Sequence, residues 1–230
     1  MKPSKDILLR DKKAETLWNR ASLSYQNYQE YIRRKGAARF DLNLLDLLYI
    51  SNFKGGNASI HEEEATVKEK LIPYTDALKC IRKAFGTSAL SDLSPADLES
   101  LISIVNKTVL LIKKKETGIS GLGASYLSAL LHAYFPTLIP ILDRRVLLNM
   151  GIVSQTHLIR GQVKEIAQFY RPLIEKTAEL CRETGKSLRE IDRDYFLLTL
   201  SEGRVPIHRR VHHNEGGKGA ADRGHHPGNT

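Results

Sequence analysis

Between Gly123 and Asp143 the chain carries no lysine, arginine, aspartate or glutamate, and prolines punctuate it at positions 136 and 140. Residues 124 to 135, "ASYLSALLHAYF", have the composition of a helix buried on nearly all sides. Pro136 and Pro140 then forbid its continuation and hold the following residues extended. As a helix, residues 124 to 135 advance about 18 Å, while residues 136 to 142 held extended can return up to about 23 Å. The pattern therefore predicts a helix whose outgoing chain doubles back along it, bringing Asp143 beside Ser125. The polar residues of the helix, Ser125, Ser128 and His132, fall at i, i+3 and i+7 and form one narrow uncharged stripe. Such a stripe either lines a cleft or lies beside another polar element, and hydroxyls bonded to their own helix with a satisfied core histidine would explain it equally.

The rest of the chain is patterned for helices as well, without sustained period-two alternation, so an all-α class with little or no strand is expected. The segment "DLNLLDLLYI" at 41 to 50 predicts a central buried helix ending in the breaker-rich "SNFKGGN". Ser59 with Glu62 reads as a capping box opening the next helix, which Pro73 is expected to interrupt before a further one at about 74 to 85 stops at Gly86. Ser94-Pro95 supplies an N-cap and first-turn proline, and Ser187 with Glu190 another capping box. The expected organisation is a helical body over 1–205. One lobe spans about 37–155, and the N-terminal helix with 156–204 makes the second. From Pro206 to Thr230 the chain has too few apolar groups to offset the cost of ordering and is expected to be a disordered, basic, His/Gly-rich tail.

Composition bounds the function. With 230 residues, 41% hydrophobic and 27% charged, the chain is expected to be soluble. It shows no signal peptide and no apolar run approaching the roughly 18 residues a bilayer requires, which makes the cytoplasm the default compartment and no membrane partner expected. Only Cys80 and Cys181 are present, far apart in sequence, which argues against a disulfide framework or a zinc site and excludes a four-cysteine iron–sulfur cluster, and no metal or cofactor is expected. The net charge of +9 suits a polyanion, nucleic acid first. Most of that excess lies in the body, because the tail sets Arg209, Arg210, Lys218 and Arg223 against Glu215 and Asp222.

Gly121-Leu122-Gly123, opening the buried helix and preceded by Lys113, Lys114 and Lys115, can expose backbone amides to a phosphate with no Cβ in the way. That arrangement binds a DNA backbone without reading sequence, although such turns also merely join helices. Asp143 can sit at the mouth of this turn, or serve only as the N-cap of the helix "RRVLLNM".

"ISGLGAS", an apolar helix and then "PILDRRV" together resemble the helix-hairpin-helix base-excision DNA glycosylases. Their hairpin has the form h-x-G-h-G, matched by Ile119, Gly121, Leu122 and Gly123, and their catalytic aspartate follows in a short segment matched by Asp143 and Val146. In that family the residue two after the second glycine is a lysine in bifunctional enzymes and a serine or similar in monofunctional ones, and it precedes the aspartate by the spacing that separates Ser125 from Asp143. The resemblance covers about 35 residues and implies a two-lobed helical fold with Asp143 in the cleft. It also implies a monomeric enzyme on double-stranded DNA that hydrolyses an N-glycosidic bond with no lyase step, since Ser125 stands where the lysine would be. The family's threonine-histidine pair is replaced by "DRRV", which leaves the base pocket unassigned.

On this reading Asp143 and Ser125 are the catalytic candidates. Gly121, Leu122, Gly123, Lys113, Lys114, Asn52, Lys54, Arg144 and Arg145 are the DNA-contact candidates. Tyr49, Phe53, Tyr126, His132 and Tyr134 could hold a base flipped from the stack, or be plain core residues. Two other classes stay open: a non-catalytic helix-hairpin-helix DNA-binding protein and a helical protein-interaction module.

Overall fold

The computed structural model describes residues 12–56 and 59–198, and the expected tail at 206–230 lies outside them. The chain is all-α. Eight helices run among the described residues: α1 Lys12–Arg34, α2 Leu44–Phe53, α3 Glu64–Phe85, α4 Pro95–Leu110, α5 Ala124–Tyr134, α6 Arg144–Asn149, α7 Tyr170–Thr184 and α8 Leu188–Leu197. A two-stranded antiparallel ribbon, β1 Leu158–Ile159 with β2 Gln162–Val163, turns at Arg160 and Gly161. Both turn residues have positive φ, 50° and 72°, the mirror-image turn that matches strand twist. No helix among the described residues is long and apolar enough to cross a membrane.

Residues from α1 through α8 share one hydrophobic core. Its centre includes Leu127, Leu130, Leu131 and Ala133 of α5 and Ile139 and Leu142 of the return segment. Helix α1 packs on α2, α5 and α8, α6 packs on α8, and α7 packs on α4 and α8. A smaller cluster of Ala14, Trp18 and Leu197 seals α1 against the end of α8.

The capping signals at Ser94 and Ser187 operate as the sequence implies, each serine accepting from a first-turn amide. Three other expectations are corrected. Pro73 does not divide a helix: α3 runs unbroken from Glu64 to Phe85. Its apolar stripe, Val67, Leu71, Tyr74, Leu78, Ile81 and Phe85, is buried on both sides of the proline. Each such side chain stabilises by about 1.5–3 kcal/mol, which together exceeds the roughly 3 kcal/mol that an interior proline costs.

Ser59 and Glu62 form no capping box, because α3 begins at Glu64 with Glu63 as its N-cap and the Glu62 carboxylate is used elsewhere. Helix α2 is not the central buried helix either. Leu45 and Leu48 are half exposed, and Asn43 with Asp46 makes the box that starts it. α5 occupies the centre instead.

Asp46 is fully buried. It accepts hydrogen bonds from the Tyr28 and Tyr134 hydroxyls at 3.0 and 2.8 Å, from Lys35 Nζ at 2.9 Å and from the Asn43 amide at 2.9 Å. A buried carboxylate with every donor in place ties α1, α2 and α5 together.

Candidate active site

The glycine turn is built by close approach. Ile119 and Leu122 are buried, which pins the turn to the core and leaves Gly121 and Gly123 at the surface. Gly121 has φ +85°, and a Cβ there would meet the Ser59 carbonyl oxygen at 2.5 Å, so both backbone conformation and space require glycine. At Gly118, which sequence reasoning passed over, a Cβ would meet the Ile112 and Lys114 carbonyl oxygens at 2.6 and 2.8 Å. Gly123 differs: nothing lies within 4 Å of its Cβ direction. It is the N-cap of α5 and supplies no side-chain cap, so the first-turn amides take no bond from it.

Glu62 and Lys70 brace the turn. Lys70 Nζ donates to Glu62 at 2.6 Å and to the Gly118 carbonyl at 2.8 Å, and Glu62 accepts from the Ser120 amide at 2.6 Å. Lys70 first, then that amide, hold the Glu62 carboxyl below its ordinary value. Lys113 and Lys114 are exposed just before the turn.

From α5 the polar stripe grips the returning chain. His132 Nδ1 is 2.7 Å from the Ile139 carbonyl oxygen, and the Leu142 amide donates to Ser128 Oγ at 2.8 Å while that hydroxyl donates to the Ser125 carbonyl at 2.8 Å. The stripe thus lies beside a polar element, the backbone of residues 139 to 142, and Asp143 follows one residue after the Ser128 contact. Burial drives the His132 pKa down to about 4, so the ring is neutral. With Nδ1–H donating to a carbonyl, Nε2 keeps its lone pair and has no partner among the described residues. Ser125 is half-buried and one turn away from Ser128.

Asp143 caps α6, its Oδ1 accepting from the Arg145 amide at 2.8 Å, and Lys54 Nζ lies 3.0 Å from its Oδ2. Their side chains are 22% and 14% exposed, so the pair is shielded without being sealed. Burial alone would raise the Asp143 pKa, but the charge and hydrogen bond of Lys54 and the amides of Arg145 and Val146 outweigh it, and the net direction is downward. The carboxylate is ionised at neutral pH.

Helix α8 contributes residues that sequence reasoning missed. Arg189 lies over the Trp18 ring at 3.8 Å and 5.1 Å from the Tyr25 centroid, donates to Ser22 Oγ, and pairs with Asp192 at 3.0 Å. Tyr25 stacks at an angle against both Phe53 and His132, 5.4 and 5.5 Å between centroids. In sequence, Arg189 and Asp192 look like an ordinary i, i+3 surface pair, and nothing local tells that their partners come from α1.

The candidates fall into groups. Phe53 and His132 adjoin Tyr25 on the side of α1 that meets Arg189. Tyr49 and Tyr134 do not join them: Tyr49 stacks on Tyr28 and Tyr31, and Tyr134 is spent on Asp46. Tyr126 is partly buried against the core. Asn52 donates to Ser24 Oγ at 3.1 Å. Arg144, exposed, donates to the Gly161 carbonyl, and Arg145 to the carbonyls of Phe196 and Leu198. Comparison of the chain with models of known families, with curated proteins and with solved structures finds no match.

Proposed function

We propose that the chain is a DNA glycosylase that hydrolyses the N-glycosidic bond of a damaged, mismatched or modified base in double-stranded DNA, acting as a monomer. The observation that carries this reading is the placement of Asp143. An ionised, partly shielded carboxylate stands at a helix N-terminus, after a glycine turn, a buried helix and a return segment that opens with a turn at 136–138, where the Leu138 and Ile139 amides bond to the Phe135 carbonyl, and not with the extended run that the prolines implied. Breaking the glycosidic bond develops oxocarbenium character on the sugar, which such a carboxylate stabilises while it orients a water for attack. The glycine turn, with Lys113 and Lys114 before it, supports the backbone of the duplex, and the target nucleotide is extruded toward Asp143. Ser125 cannot form an imine. Lys54 is held against the Asp143 carboxylate, and the product expected is an intact abasic site.

The test is a screen of duplexes carrying many modified bases, with alkali cleavage as readout, on the parent and Asp143→Asn. Release by the parent that the variant lacks supports the reading, and release equal in both overturns it. Cleavage without alkali, with a borohydride-trapped complex, would replace hydrolysis by amine chemistry.

A second reading is favoured by the engagement of Asp143 as helix cap and Lys54 partner, which accounts for an aspartate here without any reaction. That reading is a non-catalytic DNA-binding protein, and it expects salt-dependent duplex binding with no base released.

A further inference from the structure

The site holds a second carboxylate that the hydrolysis described above leaves unused. Asp192 lies on α8 with its side chain 12% exposed, and its one hydrogen-bonded partner among the described residues is Arg189, which reaches Oδ2. Trp18 lies over the face of the Arg189 guanidinium and Ser22 accepts from its other terminal nitrogen. The second oxygen, Oδ1, receives no hydrogen bond from the described residues.

The charged and titratable groups that act on this carboxyl are Arg189 on α8, Asp143 at the head of α6, Lys54 at the end of α2 and Tyr25 on α1. Neutral His132 on α5 faces Arg189 in turn. Two of these groups are cations and one is a second anion. Burial, opposed by Arg189 and reinforced by the Asp143 charge, pushes the Asp192 carboxyl up to about 6, whereas the donors around Asp143 move it down. Neighbouring carboxyls driven apart in this way can divide acid and base work between them.

We propose that Asp192 is the general acid of the site, protonating the departing base while Asp143 stays ionised beside the sugar. This rests on the base-excision reading. In the step, the C1′–N bond breaks with its electron pair leaving on the base, and the base nitrogen takes the proton of the Asp192 carboxyl. Water adds to C1′, and its proton passes to the Asp143 carboxylate. Exchange with solvent then returns a proton to Asp192 and removes one from Asp143, so water is the only co-reactant.

The experiment is the pH dependence of base release between pH 5 and 8 by the full chain, using the duplex that the screen finds to be the best substrate, for the parent, Asp192→Asn and Asp192→Glu. It is paired with NMR titration of the Asp192 carboxyl in the parent and in Asp143→Asn. The parent rate should be flat below about pH 6 and fall about tenfold per unit above it. Asp192→Asn should be about 100-fold slower at pH 5.5 and lose that fall, and Asp192→Glu should restore a pH-dependent limb. The Asp192 titration should move to lower pH in Asp143→Asn, where the neighbouring charge is gone.

A merely structural Asp192 would lower the rate of Asp192→Asn equally at all pH values, which overturns the proposal while leaving the glycosylase reading intact. An Asp192 midpoint unmoved by Asp143→Asn overturns it as well. No base released by the parent from any duplex removes the glycosylase reading, and the proposal falls with it.

Discussion

Asp46 and Asp143 are each paired with a lysine, and their exposure separates their roles. Asp46 is sealed, with four donors, so its neutralisation should be felt as stability: Asp46→Asn leaves Lys35 buried without its counter-charge and is expected to cost about 3–5 kcal/mol in urea unfolding. Asp143 remains partly open, and Asp143→Asn keeps its capping oxygen, so base release should fall by several orders of magnitude while duplex binding and the helical signal survive. The two carboxyls of the site also pull stability in opposite directions with pH. Asp143 titrates below its ordinary 3.8 in the folded chain, so its contribution is present above that value and is lost as the pH falls through the folded pKa. Asp192 titrates above its ordinary 3.8, at about 6, so its contribution is complete below about pH 4 and is lost as the pH rises through 6. Removing that titration in Asp192→Asn should therefore stabilise the variant relative to the parent by on the order of 2 kcal/mol more at pH 7 than at pH 4. Denaturant unfolding at the two pH values checks it, and a parent-minus-variant difference independent of pH would show that Asp192 is not raised.

At the scale of elements, the two glycines of the turn predict opposite failures. Gly121→Ala sets a Cβ 2.5 Å from the Ser59 carbonyl at a positive φ, so it should destabilise the fold by more than about 1 kcal/mol in thermal unfolding. Gly123→Val meets open space at an ordinary φ of −83°, so the fold should stand, while the branched side chain keeps a phosphate from the first-turn amides of α5. Duplex affinity should then drop alike for all sequences. A Gly123→Val protein with unchanged affinity at moderate salt would take the turn out of the interface. Part of this was legible because its signals are local: Pro136 follows the end of α5 and the stripe Ser128 and His132 matches the backbone groups it grips, whereas the run from 136 opens in a turn on the Phe135 carbonyl because a proline that ends a helix is equally at home in a turn. Pro73 misled, because the heptad-like stripe across it outweighs one lost backbone bond. The aromatic and Arg189 side of the site was illegible because Trp18 and Arg189 are brought together only by the packing of α1 on α8, which no short window of sequence encodes.

For the whole molecule, the proposed function requires that the +9 excess act at a defined face rather than as a diffuse field. Paired cations contribute little to such a face. Lys35, Lys54, Lys70, Lys79, Arg171, Lys176 and Lys186 are each spent on a carboxylate. Lys113 and Lys114 stand exposed beside the glycine turn, where a phosphate held by the α5 amides would meet them. If each neutralises one phosphate, each adds about 0.9 to the steepness with which log affinity falls against log salt. Lys113→Ala with Lys114→Ala should therefore flatten that slope by about 1.8 and weaken binding of every duplex by the same factor, leaving discrimination between a target base and a normal one unchanged. Fluorescence anisotropy across a salt series measures both quantities. A double variant with the parent's slope would place the polyanion on another face, and one that lost discrimination as well would mean that these lysines touch the extruded nucleotide and not the backbone beside it.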